Sequence, residues 1–545
     1  MNGQNFKPLI GPVLILAFLT LTTFAVRPLT PIDETRYASV AWEMWLRDEY
    51  LVMFKNGEPY SHKPPLLFWL YNMGWTVFGV NEWWPRLVSP LFSLGGLFLT
   101  LSIARRLWPD DENAGRNALW VLGSSMLWLV FSTIAMFDVM LAFFVLTGMR
   151  GLLIAANESM KRGFAWLALA IGLGVLAKGP VILLHLLPAA LLAPWWQQSS
   201  NLAGQNWKHW YGAILLAVLG GAAIALAWAI PAAIHGGEEY RNAIFWGQTA
   251  NRMVDSFAHK RPFWWYLPLL PVLLFPWLVW PGLWSRFMSL KRNGMDAGLR
   301  FCVAWAAPVF VSFSLISGKQ LHYLVPLVPA FALFSARLLT NLPRGGILFP
   351  ALLSGLLGGV LIYLAIAGLP GKYSDWANPP VWPGLVLSIY ALILILGNRD
   401  RNWHLPSLAL LGALSFVMLQ IGVFSSLGPI YDVHPISREI RKLQDEGRPV
   451  ANAGGYHAQF QFMGRLEKPL EQLDKNELQP WLDNHPAGAV VMYLKKKNVR
   501  FDALFSQAYR GGMVMLMDVA QTKAYLAEQK AGENEIRTQP EADEP

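Results

Sequence analysis

Residues 10–26, IGPVLILAFLTLTTFAV, run without a charge and are followed at once by RPLTPIDETRYA at 27–38. A helix crosses the hydrocarbon core of a bilayer with about 20 apolar residues, because its backbone must satisfy its own hydrogen bonds there. The first stretch therefore reads as a membrane span. The second places two carboxylates, Asp33 and Glu34, and the guanidinium of Arg36 at its end. Lys7 ahead of the apolar run leaves a signal peptide as an alternative, but no small-residue cleavage pattern follows and many more apolar runs do. An uncleaved span is the preferred reading.

Beyond this span about 12 further apolar runs begin near residues 87, 117, 138, 163, 180, 211, 264, 300, 322, 346, 380 and 405. With 54% of its 545 residues hydrophobic and 14% charged, the chain is not a soluble globular protein. It reads as a polytopic α-helical membrane protein with about 13 transmembrane helices. The net charge of +9 does not point to nucleic acid, since the basic residues are scattered between apolar runs and form no stripe. One alternating set of linkers holds Arg105, Arg106, Arg116, Lys161, Arg162, Lys208, Lys291, Arg292, Arg337, Arg344, Arg399 and Arg401, which makes those linkers cytoplasmic. The chain then begins inside and its tail lies outside, in the periplasm of a Gram-negative cell. The single cysteine, Cys302, excludes an internal disulfide.

Two outer linkers are long, about 28–86 and 232–263, and long structured loops usually cover a site. In the first, Thr35 to Arg47 carries Trp42, Met44 and Trp45 among charges, as a helix lying in the membrane interface would. The chain divides at about residue 430 into a transmembrane part, 1–429, and an outer α/β domain, 430–545. That domain has a helical stretch at Ser437–Gln444, a short strand candidate at Pro449–Ala453, an apolar run at Ala489–Leu494, and an acidic end, after Ala531, expected to be disordered.

Several charges do not serve topology. Asp33 and Glu34 read either as cap and first-turn residues of the interfacial helix or as site carboxylates. Lys63 follows Tyr60 and His62 and precedes two prolines; alone it is a surface charge. Asp138 sits in a tight outer turn, where aspartate is common. Lys178 and Lys319, each beside a glycine, mark outer turns that the positive-inside rule would leave poor in lysine. Arg252, His259, Lys260 and Arg261 belong to the second long loop. If these loops converge, cations and two carboxylates meet at headgroup depth, where a lipid-linked phosphate presents itself. His185, inside an apolar span, reads as a buried histidine with its hydrogen bonds satisfied.

The run Asp33 to Ala38, Tyr60 through Pro64, Lys178–Gly179, Pro262 to Tyr266, and Gly318–Lys319 ahead of Tyr323 resemble, in order and spacing, the 4-amino-4-deoxy-L-arabinose lipid A transferase family. That family belongs to the protein-mannosyltransferase-like branch of the glycosyltransferase C superfamily. The likeness covers roughly residues 10 to 345. It implies the glycosyltransferase C fold with 13 spans and interfacial helices, a periplasmic active site in the bacterial inner membrane, and an inverting reaction on a polyprenyl-phosphate-linked sugar. It also implies an outer-leaflet lipid or glycan acceptor, with membrane lipids as surroundings. By the same resemblance Asp33 and Asp138 are the acidic catalytic residues, and Arg36, Lys63, Lys178, Arg252 and Lys319 are phosphate ligands. Glu34, Tyr37, Tyr60, His62, His259 and Tyr323 line the pocket. The aminoarabinose transferases carry a glutamate where this chain has His62 and a histidine where it has Thr249, residues linked there to zinc. A divalent metal here would have to use His62, and a lone histidine is more often a hydrogen-bonding residue.

The expected activity is transfer of a sugar, aminoarabinose by resemblance, from undecaprenyl-phosphate type carriers to lipid A or another envelope glycan. Protein O-mannosylation and O-antigen ligation remain alternatives among enzymes. From other classes, a secondary transporter would place its charges near the bilayer midplane in related repeats, and a lipid-binding assembly protein would make the acidic residues dispensable.

Overall fold

The computed structural model describes residues 7–197, 206–247, 260–340, 346–374, 377–397, 403–494 and 502–538. Among these, nine helices are long and apolar enough to cross a membrane, and two shorter apolar helices, Val181–Leu191 and Trp382–Gly397, accompany them. The apolar runs from 117 and 264 are broken. The first splits at Ser125 into α5 (Glu112–Ser124) and α6 (Met126–Ser132), with the Met126 N–H turned across to the Phe275 carbonyl at 3.2 Å. In the second, prolines at 268, 271, 276 and 281 remove backbone donors, so only short turns at Leu267–Leu269 and Leu270–Leu273 form. Each of the 13 runs read from the sequence thus corresponds to a long helix, a short one or a broken one.

The bundle begins with α1 (Ile10–Val26) and α4 (Trp83–Leu107), continues through α7 (Asp138–Asn157), α8 (Met160–Lys178) and α9 (Val181–Leu191), and includes α10 (Trp207–His235). Small residues set the α7–α8 approach. A Cβ on Gly163 would lie 2.2 Å from the Ala155 nitrogen, so this crossing admits only glycine.

The first long linker is folded. It holds α2 (Asp33–Arg47), the antiparallel hairpin β1 (Phe54–Lys55) and β2 (Glu58–Pro59), and α3 (Leu66–Phe78). The interfacial helix expected here is α2, but it has no broad wet face. Residues Thr35 and Tyr37–Met44 are all buried, because the bundle takes one side of the helix and the tail takes the other.

The tail builds a five-stranded sheet in the order β4-β3-β5-β7-β6. Its strands are β3 (Val450–Ala453), β4 (Glu471–Leu473), β5 (Ala489–Leu494), β6 (Phe505–Tyr509) and β7 (Gly512–Asp518). β3 runs parallel to β4 and β5, while β7 is antiparallel to β5 and β6. The closing helix, Val519–Thr538, enters the stretch expected to be disordered, in keeping with its Ala, Glu, Gln and Lys content, and the rest of that stretch lies outside the described residues.

The tail is bolted to the first linker. Ser39 Oγ donates to the Ala458 carbonyl at 2.7 Å and Trp42 Nε1 to that of Leu466 at 2.9 Å. Asn56 donates to the Leu470 carbonyl at 2.8 Å and accepts from Leu470 N–H at 2.8 Å and Gln461 at 2.7 Å. Trp75 stacks on Phe462 with centroids 5.1 Å apart, and His434 joins Glu82, just before α4, at 2.8 Å.

Candidate active site

Several of the residues singled out from the sequence come together around the turn at 133–138, between α6 and α7. Asp138 opens α7 and Lys178 closes α8, positions where a carboxylate and an ammonium complement the helix dipoles. Gly179, at φ +92°, lets the chain reverse immediately after Lys178. Lys178 Nζ is ion-paired with Asp138 Oδ1, in a site where the carboxylate side chain is 1% exposed and the ammonium 11%. Asp138 Oδ2 is buried and has no hydrogen-bond partner among the described residues. Lys178 also lies 5.4 Å from the Tyr323 ring centroid, and His322 packs edge-on against Tyr323 at 4.8 Å.

Phe137 is the hub on the other side. Its ring meets Tyr37 at 4.8 Å and Phe68 at 5.7 Å, and Lys63 Nζ sits 5.5 Å from its centroid. Pro64 and Pro65 follow Lys63 directly and α3 starts at Leu66, which fixes where that lysine leaves the backbone. Tyr60 packs on His62 at 5.3 Å and on Phe68 at 6.4 Å. On α2, Asp33 pairs with Arg36, and Tyr37 OH is 3.4 Å from Asp33 Oδ1. Burial, joined by the Asp33 carboxylate, pushes the Tyr37 phenol far up, so it stays protonated and can donate. The Asp33 side chain is 49% exposed, the most open carboxylate of the group.

Glu34 points the other way. It is 1% exposed and forms a two-pronged pair with Arg27; its oxygens also accept from Thr30 N–H at 3.0 Å and Ala135 N–H at 2.8 Å. Arg27 in turn donates to the Thr133 carbonyl at 3.0 Å. Burial alone would raise the Glu34 carboxyl, but the Arg27 charge and these hydrogen bonds outweigh it and hold the carboxyl below its ordinary range. Glu34 therefore anchors the 133–138 turn from behind and does not face the pocket.

Lys319 also differs from its expected place. It is 3% exposed and donates to the carbonyls of Ile316 and, at 3.1 Å, Arg261, tying the 316–320 turn to the strap where Lys260 bridges Gly318. His185 is fully buried as expected, but among the described residues both ring nitrogens lack a hydrogen-bond partner, which corrects the reading of a satisfied histidine. Its surroundings are aromatic, with Phe313 at 5.5 Å. Arg252 and His259 lie outside the described residues. Among the described residues no three His, Cys, Asp or Glu side chains group as a metal site. His62 packs on Tyr60 and belongs to no such group, so the described side chains do not fit zinc.

Sequence reasoning missed Arg27, Phe137 and His322. Arg27 carried a signal: an arginine at the outer end of a span runs against the positive-inside bias. His322 adjoins Tyr323, which the sequence had singled out, and Phe137 in an apolar turn had no signal at all.

An apolar cavity of about 480 Å³ opens within the bundle, lined by Leu127, Leu270, Phe310, Leu324, Phe331 and Phe334 among others. Leu324 directly follows Tyr323, so the cavity adjoins the charged cluster.

The sequence model of the dolichyl-phosphate-mannose-protein mannosyltransferase family matches residues 10–235. An undecaprenyl phosphate-alpha-4-amino-4-deoxy-L-arabinose arabinosyl transferase of Pseudomonas aeruginosa is 30% identical over 380 residues, and that match spans 67% of this chain and 65% of the relative's length. A protein of the same name from Pseudomonas fluorescens is 31% identical over 540 residues, covering 89% of this chain and 93% of the relative. Among solved structures, ArnT from Cupriavidus metallidurans bound to undecaprenyl phosphate superposes with a TM-score of 0.73 at 19% identity, covering 92% of this chain and 97% of that one. The two share a fold, the glycosyltransferase C arrangement of membrane helices.

Proposed function

This chain belongs to the undecaprenyl phosphate-alpha-4-amino-4-deoxy-L-arabinose arabinosyl transferase family, and from that premise we propose that it moves aminoarabinose from undecaprenyl phosphate to lipid A at the periplasmic face of the inner membrane. The observation that carries this reading is the convergence of Lys63, Asp138, Lys178 and Tyr323 on one turn, beside an apolar cavity. The cavity takes isoprene units of the carrier, and the ammonium groups of Lys63 and Lys178 receive its phosphate, with Arg36 on the acceptor side.

In the reaction an acceptor phosphate oxygen attacks the anomeric carbon from the face opposite the carrier. The bond between that carbon and the carrier phosphate oxygen breaks, and the configuration inverts. Negative charge develops on the leaving phosphate and is met by the lysines, fixed in place before the reaction begins. Asp33 orients the acceptor, and its exposure leaves it accessible from outside. A phosphate acceptor is already a nucleophile and requires no strong base. Asp138 holds Lys178 and keeps one oxygen for a hydrogen-bond donor of the sugar. Asp138 and Lys178 stand at the ends of long apolar helices, where a transporter would carry its charges near the bilayer midplane.

Purified protein in liposomes with undecaprenyl-phosphate aminoarabinose and lipid A should yield the modified lipid by mass spectrometry, with turnover abolished by Asp33→Ala and by Lys63→Ala in folded protein. Transfer of mannose to a peptide in place of aminoarabinose to lipid A would favour protein mannosylation. Transfer indifferent to both substitutions would refute the proposed site.

A further inference from the structure

A second cleft, of about 320 Å³, lies between the start of α2 at Ile32 and the tail, where Gly455, His457, Tyr493, Tyr509 and Arg510 line it. A network of polar groups from the tail stands along it. Asn452, fully buried, accepts from Tyr493 OH at 2.9 Å, and that hydroxyl accepts from Gln459 Nε2 at 2.8 Å. Gln459, 1% exposed, accepts from the His457 N–H at 2.9 Å. Such a closed network fixes side chains in position. Gly454 takes φ +123°, and a side chain on Gly455 would meet nothing within 4 Å, so the backbone there faces open space.

Arg510 lines this space, and positive charge on the first linker acts on it as well. Arg36 and Lys55 come from the first linker and Arg510 from the tail, and all three act on His457 together with Asp33. Burial first, then those three positive charges, lowers the His457 pKa and keeps the imidazole neutral, able both to donate and to accept. Arg510 sits at the tip of the β6–β7 hairpin, where it and Gly511 take φ +52° and +85°. Its N–H is pinned to the Ile430 carbonyl at 3.1 Å. A guanidinium on so tight a support is suited to bind phosphate.

We propose that this cleft is the acceptor site, and that it takes a phosphorylated sugar headgroup, with Arg510 and His457 as contacts contributed by the tail and Asp33 at its mouth. The proposal rests on the transferase reading above and extends it by giving the tail a substrate-binding role. The cleft suits an anionic saccharide in charge and in size. The donor phosphate is the other anion present, and the lysines at the 133–138 turn already face it beside the lipid cavity.

The test uses the full chain in liposomes, with a bisphosphorylated glucosamine-disaccharide lipid as acceptor and its dephosphorylated form as comparison. Arg510→Asn suits the left-handed backbone at that position; it should raise the acceptor KM about tenfold, the worth of one charge-assisted contact. The donor KM should stay unchanged and the preference for the phosphorylated acceptor should fall. His457→Gln should act in the same direction. An unchanged acceptor KM in both variants, or an equal rise in donor KM, overturns the assignment. Binding of the water-soluble bisphosphorylated disaccharide, read by tryptophan fluorescence, separates this from the transferase reading because it needs neither donor nor turnover. Binding by wild type that Arg510→Asn abolishes supports the cleft even if no sugar moves, while absence of wild-type binding in a protein that does transfer sugar removes the cleft alone.

Discussion

Glu34 with Arg27 and Asp138 with Lys178 are both buried carboxylate–cation pairs, placed on either side of the same short turn. Glu34 uses both oxygens, accepting from Arg27, Thr30 and Ala135. Asp138 bonds Lys178 through one oxygen and leaves the other buried without a partner among the described residues. Burying a charge is costly unless its hydrogen bonds are complete, so the first pair is finished as structure and the second is incomplete until something else arrives. Adjacent residues diverge in the same way: Asp33 is half exposed and Glu34 closed off, since the two side chains leave α2 about 100° apart.

The sharpest way to break this contrast is Glu34→Ala, which strands Arg27 and frees the turn. It should cost about 3–5 kcal/mol of stability, seen as a lowered melting temperature, and activity should fall with it. Asp138→Asn should do the reverse, lowering kcat by about 10²–10³ while the melting temperature stays within a few degrees of wild type. If Asp138→Asn melted as early as Glu34→Ala, the two pairs would be alike and the distinction false.

Asn56→Ala removes three contacts between the hairpin and the tail and should cost about 1–3 kcal/mol. The loss should appear as faster hydrogen exchange at 456–470, with α7 and α8 unaffected. The smallest effect is acid sensitivity. Because the Glu34 pKa is lowered on folding, its contribution is full above the ordinary carboxylate range and is lost as pH falls through the lowered value. One proton accounts for at most about 1.4 kcal/mol per pH unit. Glu34→Gln should flatten that part of the stability profile, and a profile unchanged by it would show that Glu34 does not titrate with unfolding.

The helical membrane architecture was legible because a bilayer demands long apolar runs, and each run has its counterpart in the structure. The breaks at Ser125 and through Pro268–Pro281 were less so, since hydropathy is blind to where a helix is interrupted. Asp33, Lys63, Asp138 and Lys178 were visible as charges that topology did not need. Their roles were separable only in three dimensions: nothing in the string DETR says that the second acid turns inward to hold a turn one hundred residues away. Strands β4, β6 and β7 were missed, and with the last two Arg510, because β4 is only three residues long and the later strands carry Gln, Ser and Met in place of a clean alternation.

The docking of α2 sets a clock on assembly. Ser39 waits for Ala458, 419 positions downstream, and Trp42 for Leu466. At a synthesis rate of about 5–20 residues per second, that interval is roughly 20–80 s. Throughout it the helix that carries Asp33 has one face uncovered, and it is completed only when the last domain has folded against it. A chain cut short between about residues 402 and 450 keeps the charges of the membrane part, yet it lacks the surface that finishes α2, so a half-made copy has no complete site.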